Sequence, residues 1–220
     1  MNKKIGFISS VVMSCAVAVF LICLIVALFA PNAFTENLSY GVCAVLSWGY
    51  VAAACAYSCY AKKGDSAAAK IGVSIGVIYS TIISVVYFTQ ITTVLHKSAD
   101  EKILEALAFT AAGSWMFNID LLGYGLLAIS TFFVGLTLKP ENKADKALKI
   151  LLMLHGAFCV CMFVPVLPLP ATNQGAGGTI ALIGWCMFFL PICILSAVYF
   201  KRLKDTELKS ADRSAAESNI

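Results

Sequence analysis

Residues 5–30 read IGFISSVVMSCAVAVFLICLIVALFA, a run of 26 residues that contains no charged side chain. A helix rises about 1.5 Å per residue, so about 20 apolar residues are enough to cross the roughly 30 Å hydrocarbon layer of a membrane. The run is too long for the apolar region of a cleaved signal peptide, which covers about 7 to 15 residues. It therefore predicts a membrane-spanning helix.

Five further runs of similar character follow along the 220-residue chain. The sequence is 60% hydrophobic and 13% charged, with a mean hydropathy of +0.86, whereas soluble domains are about half apolar and about a quarter charged. This composition excludes a disordered chain, a secreted disulfide scaffold and a free cytosolic enzyme. The sequence predicts an all-α fold class, a polytopic membrane protein with six transmembrane helices at 5–30, 40–61, 71–95, 119–138, 150–167 and 179–200.

The six spans leave no room for a second, soluble domain, so residues 1–200 are predicted to form a single transmembrane domain. The fifth span is the shortest, because Pro165 and Pro168 close it early and Pro170 follows. Residues 201–220 begin basic and continue in Ser, Ala, Asp and Glu, a composition typical of a disordered cytoplasmic tail.

The basic residues indicate which ends of the spans face the cytoplasm. Fourteen of the sixteen fall at the N-terminus, in the second and fourth loops and in the tail, whereas Lys97 and Lys102 fall on the other side. The positive-inside rule then places both termini in the cytoplasm and the loops 31–39, 96–118 and 168–178 outside. The net charge of +4 reflects topology, and no nucleic-acid partner is predicted because the charges form no basic face.

Small residues recur every four positions in two spans. The third carries Gly72, Gly76, Ser80 and Ser84, and the first carries Gly6, Ser10, Ser14 and Ala18. Helices in lipid approach closely through such residues, so both rows are predicted to lie in helix interfaces.

No cofactor or metal site is predicted from the sequence. All nine cysteines lie within the spans and form no Cys-x-x-Cys pair, which favours a packing role over redox or metal chemistry. His155 lies inside the fifth span and His96 at the outer end of the third, so the two cannot share a haem iron. We interpret His155 as a residue that links helices. Eleven of the twelve acidic residues lie outside the spans, and the exception is Asp120. An ion-driven pump typically carries several charged residues inside its spans, so this distribution is untypical of one.

The outer ends of the third and fourth spans are unusually polar. They carry five candidate ligand-binding residues, Tyr87, Gln90, Asn118, Asp120 and Tyr124. Gln90 and Tyr124 have matching predicted depths, about 7 Å inside the outer ends of their spans. Buried amides, phenols and carboxylates must bond to something. One interpretation is that they link helices to each other. The other is an outward-facing pocket for a small polar or amphiphilic ligand, with a cationic one favoured by Asp120 and the acidic loop.

The loop between these spans is predicted to contain an amphipathic helix over 98–113 that lies on the outer membrane face. Ser98 and Glu101 have the spacing of a capping box, and apolar residues then recur at helical spacing up to Gly113. Trp115 and Phe117 are suited to the membrane interface. Such a helix would cover the polar pocket.

Two segments carry a resemblance. Residues 87–94 read YFTQITTV and residues 120–125 read DLLGYG. Together they resemble segments of small multi-pass bacterial membrane proteins classed as domains of unknown function, and the resemblance covers residues 71–138. It implies a six-helix layout and a bacterial plasma membrane, and it implies no catalytic or binding residue.

Three classes of function remain open. A ligand binder or passive permease would use the outer polar cluster. A structural or regulatory subunit of a membrane complex would need only the packing seams, the tail and a membrane protein partner. An intramembrane enzyme would need a carboxylate beside His155 and a nucleophile, and it is the least favoured. We favour the ligand binder, with the lipid bilayer and a small molecule as its partners.

Overall fold

A computed structural model of the chain describes residues 1–109, 114–166 and 176–203. Within these ranges the regular structure is helical throughout, and six helical segments are long and apolar enough to span a membrane. The α-helices are α1 (Asn2–Phe29), α2 (Ala33–Ser58), α3 (Ser66–Thr89), α4 (Glu101–Leu107), α5 (Trp115–Thr137), α6 (Lys143–His155) and α7 (Ala176–Arg202). Short helices of other types cover Lys63–Asp65 (3-10), Gln90–Val94 (π) and Gly156–Val166 (3-10).

Polar side chains fix where three of the helices begin. Asn32 accepts a hydrogen bond from the Thr35 amide at 3.0 Å and starts α2 directly after α1. Ser114 accepts from the Phe117 amide at 3.1 Å and starts α5. Asn142 caps α6 in the same way. Each cap satisfies an amide that the first helical turn leaves without a partner, so the sequence sets these boundaries locally.

The spanning segments pack as a closed ring. α1 packs on α2 and α7, α2 on α3, α3 on α5, and α5 on both α6 and the Gly156–Val166 helix, while α6 returns to α7. Successive segments are therefore antiparallel neighbours. The C-terminus of α1, the N-terminus of α2 and the C-terminus of α3 lie at one end of the ring, which we call the cavity end. The opposite end, which holds the N-terminus of α1, is the basic end.

The predicted small-residue interface on the third span is confirmed. A Cβ atom at Gly72 would stand 3.2 Å from Val134 of α5, and one at Gly76 would stand 3.1 Å from both Tyr50 and Ser130. Further along α3, Ser80 donates to the Ser47 hydroxyl of α2 at 3.2 Å. The serines extend the interface to α2, where the indole of Trp48 donates to Ser84 at 2.9 Å.

The row on α1 packs mainly at its beginning. A Cβ at Gly6 would stand 2.5 Å from the ring of Phe200. The end of α7 therefore packs so closely on α1 that only glycine fits at this position. Ser10 is buried and donates to the carbonyl of Gly6 at 2.7 Å, whereas Ser14 and Ala18 are half-buried. The basic end is further joined by ion pairs of Arg202 with Asp145 and Lys139 with Asp65.

Two local predictions are wrong. The capping box of Ser98 and Glu101 does not form, because α4 begins at Glu101 after Asp100, and the Ser98 hydroxyl is 3.4 Å from the Thr92 carbonyl oxygen. The loop helix ends at Leu107 instead of reaching Gly113, since the residue after it is extended. Residues 110–113 lie outside the described ranges.

The fifth span keeps its predicted place but changes its helix type. The α-helix stops at His155, and a 3-10 helix that contains Pro165 continues to Val166. Pro168 and Pro170, and the tail from residue 204, lie outside the described residues.

Candidate functional site

A cavity of about 710 Å³ lies at the cavity end of the ring. Its walls come from the C-terminal part of α1, the N-terminal parts of α2, α5 and α7, the end of α3, the segment after α4 and the Gly156–Val166 helix. Two carboxylates, Glu36 and Asp120, lie on these walls. Among the described residues that line the cavity, eight are aromatic and none is Lys, Arg or His. The aromatic ones are Phe20, Tyr40, Tyr87, Phe109, Phe117, Tyr124, Phe158 and Trp185.

Asp120 is the most unusual group in this wall. It lies in the second turn of α5, only 3% of its surface is exposed, and its Oδ1 atom has no hydrogen-bond partner within the described part of the chain. The hydroxyl of Tyr87 lies close to the same carboxyl. Removing a carboxylate oxygen from water without replacing its hydrogen bonds is costly. The fold therefore leaves an unsatisfied acceptor at the cavity wall.

Two tyrosines beside Asp120 bond to each other across α3 and α5. The hydroxyls of Tyr87 and Tyr124 are 3.1 Å apart, and Tyr124 also donates to the Cys43 sulfur at 3.9 Å. The ring of Tyr87 stacks on Tyr40 of α2 with 5.6 Å between centroids. The Tyr40 hydroxyl in turn donates to Glu36 Oε1 at 3.1 Å. Aromatic contacts thus connect the wall from α2 through α3 to α5.

Gln90 does not line the cavity, but it positions a residue that does. Its side chain is 1% exposed, its Nε2 donates to the Leu107 carbonyl at 2.8 Å, and its Oε1 accepts from the Phe109 amide at 2.9 Å. Both ends of the amide are therefore used by the segment that follows α4. Phe109 then packs against Tyr87 and Tyr40, each at 6.3 Å between ring centroids. Gln90 fixes the position of Phe109.

Three of the five predicted candidates, Tyr87, Asp120 and Tyr124, come together at the cavity. Gln90 and Asn118 are not among its lining residues, and Asn118 is half-buried in the first turn of α5. The sequence prediction missed Glu36, Tyr40, Phe109 and Trp185. A signal existed for the first two, since residues four apart on a helix share a face and a carboxylate can pair with a phenol there.

The buried His155 supports another wall of the cavity. Trp185 Nε1 donates to His155 Nε2 at 3.1 Å, and His155 Nδ1 is 2.8 Å from the hydroxyl of Thr131. Because Nε2 accepts, the proton of the neutral ring is assigned to Nδ1, which then donates to Thr131. The indole of Trp185 meets Tyr124 edge-on with 5.1 Å between centroids. His155 therefore links α6, α5 and α7, and its described polar contacts include no carboxylate.

Metal ligands do not converge among the described residues. No group of three or more His, Cys, Asp or Glu side chains is placed to hold an ion, and the nine cysteines are free thiols. No family model, no curated protein and no solved structure matches this chain. The resemblance to small bacterial membrane proteins stays a prediction.

Proposed function

We propose that this protein binds a small amphiphilic ligand in the cavity at the cavity end of its six-span bundle. The observation that carries the proposal is the unpartnered Oδ1 of the buried Asp120 on the wall of an aromatic cavity of about 710 Å³. Small-molecule sites are typically about 300 to 1,000 Å³, mostly apolar, with a few placed polar groups. The dimensions and composition of this cavity fall in that class.

The alternative for the polar cluster is helix linkage, and the contacts divide the residues between the two roles. Gln90 and His155 use their polar atoms on protein partners, as helix-linking residues do. Asp120 keeps a free acceptor although it is equally buried. A carboxylate that served only to link helices would have both oxygens satisfied, because an unsatisfied one costs about 1 to 3 kcal/mol or more.

The distribution of basic residues favours an outward-facing position for the cavity. Fourteen of the sixteen Lys and Arg residues belong to the N-terminus, the second and fourth loops and the tail, and those of them that the structure describes lie at the basic end. We therefore place both termini in the cytoplasm and the cavity in the outer half of the membrane. The resemblance of residues 71–138 supports a bacterial plasma membrane.

The cavity can be filled with one substitution. Cys23 lies on α1, is buried and lines the cavity, whereas Cys15 is exposed on the same helix. We expect native mass spectrometry in mild detergent to detect a bound small molecule on the wild-type protein, and Cys23→Phe to abolish this signal. Cys15→Phe should keep this signal, because its ring points away from the bundle.

The thermal unfolding of both variants controls for misfolding. A folded Cys23→Phe protein that retains the same bound molecule as the wild type would contradict the proposal. A wild-type protein that carries no ligand, and is not stabilised by any compound of a chemically diverse amphiphile library, would contradict it as well.

A further inference from the structure

We propose that the ligand carries a cationic head, an ammonium group on an apolar body, and that Asp120 is the group that receives it. This inference rests on the proposed function of the cavity and names the chemical class of its ligand. Three features of the cavity support it: the charges on the walls, the aromatic rings around Asp120, and the apolar surface that remains.

The charges around the cavity have one sign. Glu36 and Asp120 both line it, and no basic side chain does so within the described ranges. An anionic head would therefore meet two carboxylates and no countercharge. A cation would supply the countercharge that the Asp120 carboxylate lacks among the described residues. Charge complementarity favours the cation.

Residues outside the cavity wall also favour a cationic ligand. The sequence at the cavity end contains five acidic residues, Glu36, Asp100, Glu101, Glu105 and Asp120, against two lysines, Lys97 and Lys102. A surplus of negative charge near the mouth of a site raises the local concentration of cations and speeds their association. The surroundings of the cavity thus select for the same sign as its wall.

Aromatic rings surround the carboxylate. Tyr87 and Tyr124 flank Asp120, Tyr40 stacks on Tyr87, and Trp185 packs edge-on against Tyr124. The faces of such rings attract organic cations, and sites for ammonium ligands commonly combine them with a carboxylate.

The two carboxylates differ in depth. Asp120 is buried, whereas Glu36 is half-buried near the start of α2 and already accepts a hydrogen bond from Tyr40. The head therefore belongs beside Asp120. The remaining wall from Phe20, Leu24 and Leu182 is apolar and suits the body of the ligand.

Three probes with one phenylalkyl body test the sign of the charge. 3-Phenylpropylamine is cationic at pH 7, 3-phenylpropanol is neutral and 3-phenylpropionate is anionic. The binding of each probe is measured by isothermal titration calorimetry on the full-length protein in maltoside detergent. The amine should have a dissociation constant about tenfold below that of the alcohol, because a desolvated cation is attracted to aromatic faces. The anion should bind most weakly.

Matched variants locate the effect. Asp120→Asn should weaken binding of the amine by about 30-fold, the usual effect of removing one partner of a buried charge pair, and should leave the alcohol unchanged. Glu141→Gln removes an exposed charge at the basic end of the molecule, away from the cavity, and should leave both affinities unchanged. If Asp120→Asn does not fold, the comparison of the three probes on the wild-type protein still decides the charge preference.

The outcomes separate this inference from the proposed function. If the alcohol or the acid binds as tightly as the amine, and Cys23→Phe abolishes that binding, the cavity function stands and the cation preference is overturned. If none of the three probes binds, both are overturned. The amine titration is then repeated in nanodiscs of phosphatidylethanolamine and in nanodiscs of phosphatidylglycerol to identify the source of the cationic head. If the amine binds more weakly only in phosphatidylethanolamine, that lipid competes for the cavity and the natural ligand is a lipid headgroup. If the amine has the same affinity in both, the natural ligand is a free cation.

Discussion

Gln90, His155 and Asp120 are three polar residues that the bundle buries to similar extents but treats differently. Gln90 pairs both ends of its amide with the backbone after α4, and His155 pairs both ring nitrogens with side chains of α5 and α7. Asp120 leaves Oδ1 unpaired. Since buried polar groups are normally satisfied, the first two residues explain how the cavity is built and the third indicates what it does.

At this scale we predict that His155 stabilises the bundle through its two hydrogen bonds. His155→Leu leaves the indole N–H of Trp185 without its acceptor and leaves the Thr131 hydroxyl with only its bond to the Ala128 carbonyl, so the free energy of unfolding in detergent should fall by about 1 to 3 kcal/mol. His155→Gln retains a donor and an acceptor and should lose less. Chemical unfolding followed by tryptophan fluorescence measures both variants.

The emission of Trp185 provides the control for this prediction. In a Trp48→Phe, Trp115→Phe background the remaining indole reports on its own environment, and its maximum should shift in His155→Leu more than in His155→Gln. If both variants are as stable as the wild type and their spectra do not differ, the hydrogen bonds to His155 contribute nothing to stability.

At the scale of elements, glycine and serine determine how closely α3 packs. Gly72 and Gly76 let it approach α5 and α2, and Ser80 bonds to α2 at the next turn. In lipid no hydrophobic effect draws helices together, so packing and hydrogen bonds at such an interface stabilise the pair. The position of α3 matters for the site because its last turn carries Tyr87.

We expect Gly76→Leu to reduce the folded yield and to lower the melting temperature, because its Cβ already meets Tyr50 and Ser130 at 3.1 Å and the rest of the side chain has no space. Overpacking of this kind costs about 1 to 3 kcal/mol. Gly184→Leu in α7 is the matched control, since nothing lies within 4 Å of a Cβ there. Size-exclusion profiles and thermal unfolding in detergent measure both, and a Gly76→Leu protein as stable as Gly184→Leu would contradict the assignment of the interface.

At the scale of the whole molecule, chemistry is divided between the two ends of the ring. The basic end holds the ion pairs of Arg202 with Asp145 and Lys139 with Asp65. The cavity end holds the aromatic cavity and its two carboxylates. The sequence-based prediction that basic loops lie in the cytoplasm would put the cavity end on the outer side.

Fusion reporters test this orientation. Green fluorescent protein fused after the C-terminus should fluoresce in bacterial cells, and alkaline phosphatase fused there should be inactive, because the former folds in the cytoplasm and the latter needs the periplasm. Phosphatase inserted between α1 and α2 after Pro31 should be active. The reverse pattern would place the cavity in the cytoplasmic half of the membrane.

The sequence by itself determined the class of the molecule and much of its layout. Apolar runs of membrane length predicted six spans, and the structure has six helical segments long and apolar enough to cross a membrane, with ends that differ by up to about eight residues. The interface on α3 was also predicted from the sequence, because small residues spaced four apart lie on one face of a helix. These features depend on local composition and on one-dimensional spacing, which a sequence contains in full.

The tertiary structure alone decided which polar residues face the cavity. Gln90 and Asn118 belong to the same predicted polar cluster as Asp120, yet they do not line the cavity, and the π-helical turn at Gln90–Val94 changes the residue register there. Glu36, Phe109 and Trp185 reach the site from α2, the segment after α4 and α7. Helix rotation and the meeting of distant segments depend on packing among all the spans, so no local pattern in the sequence contains them.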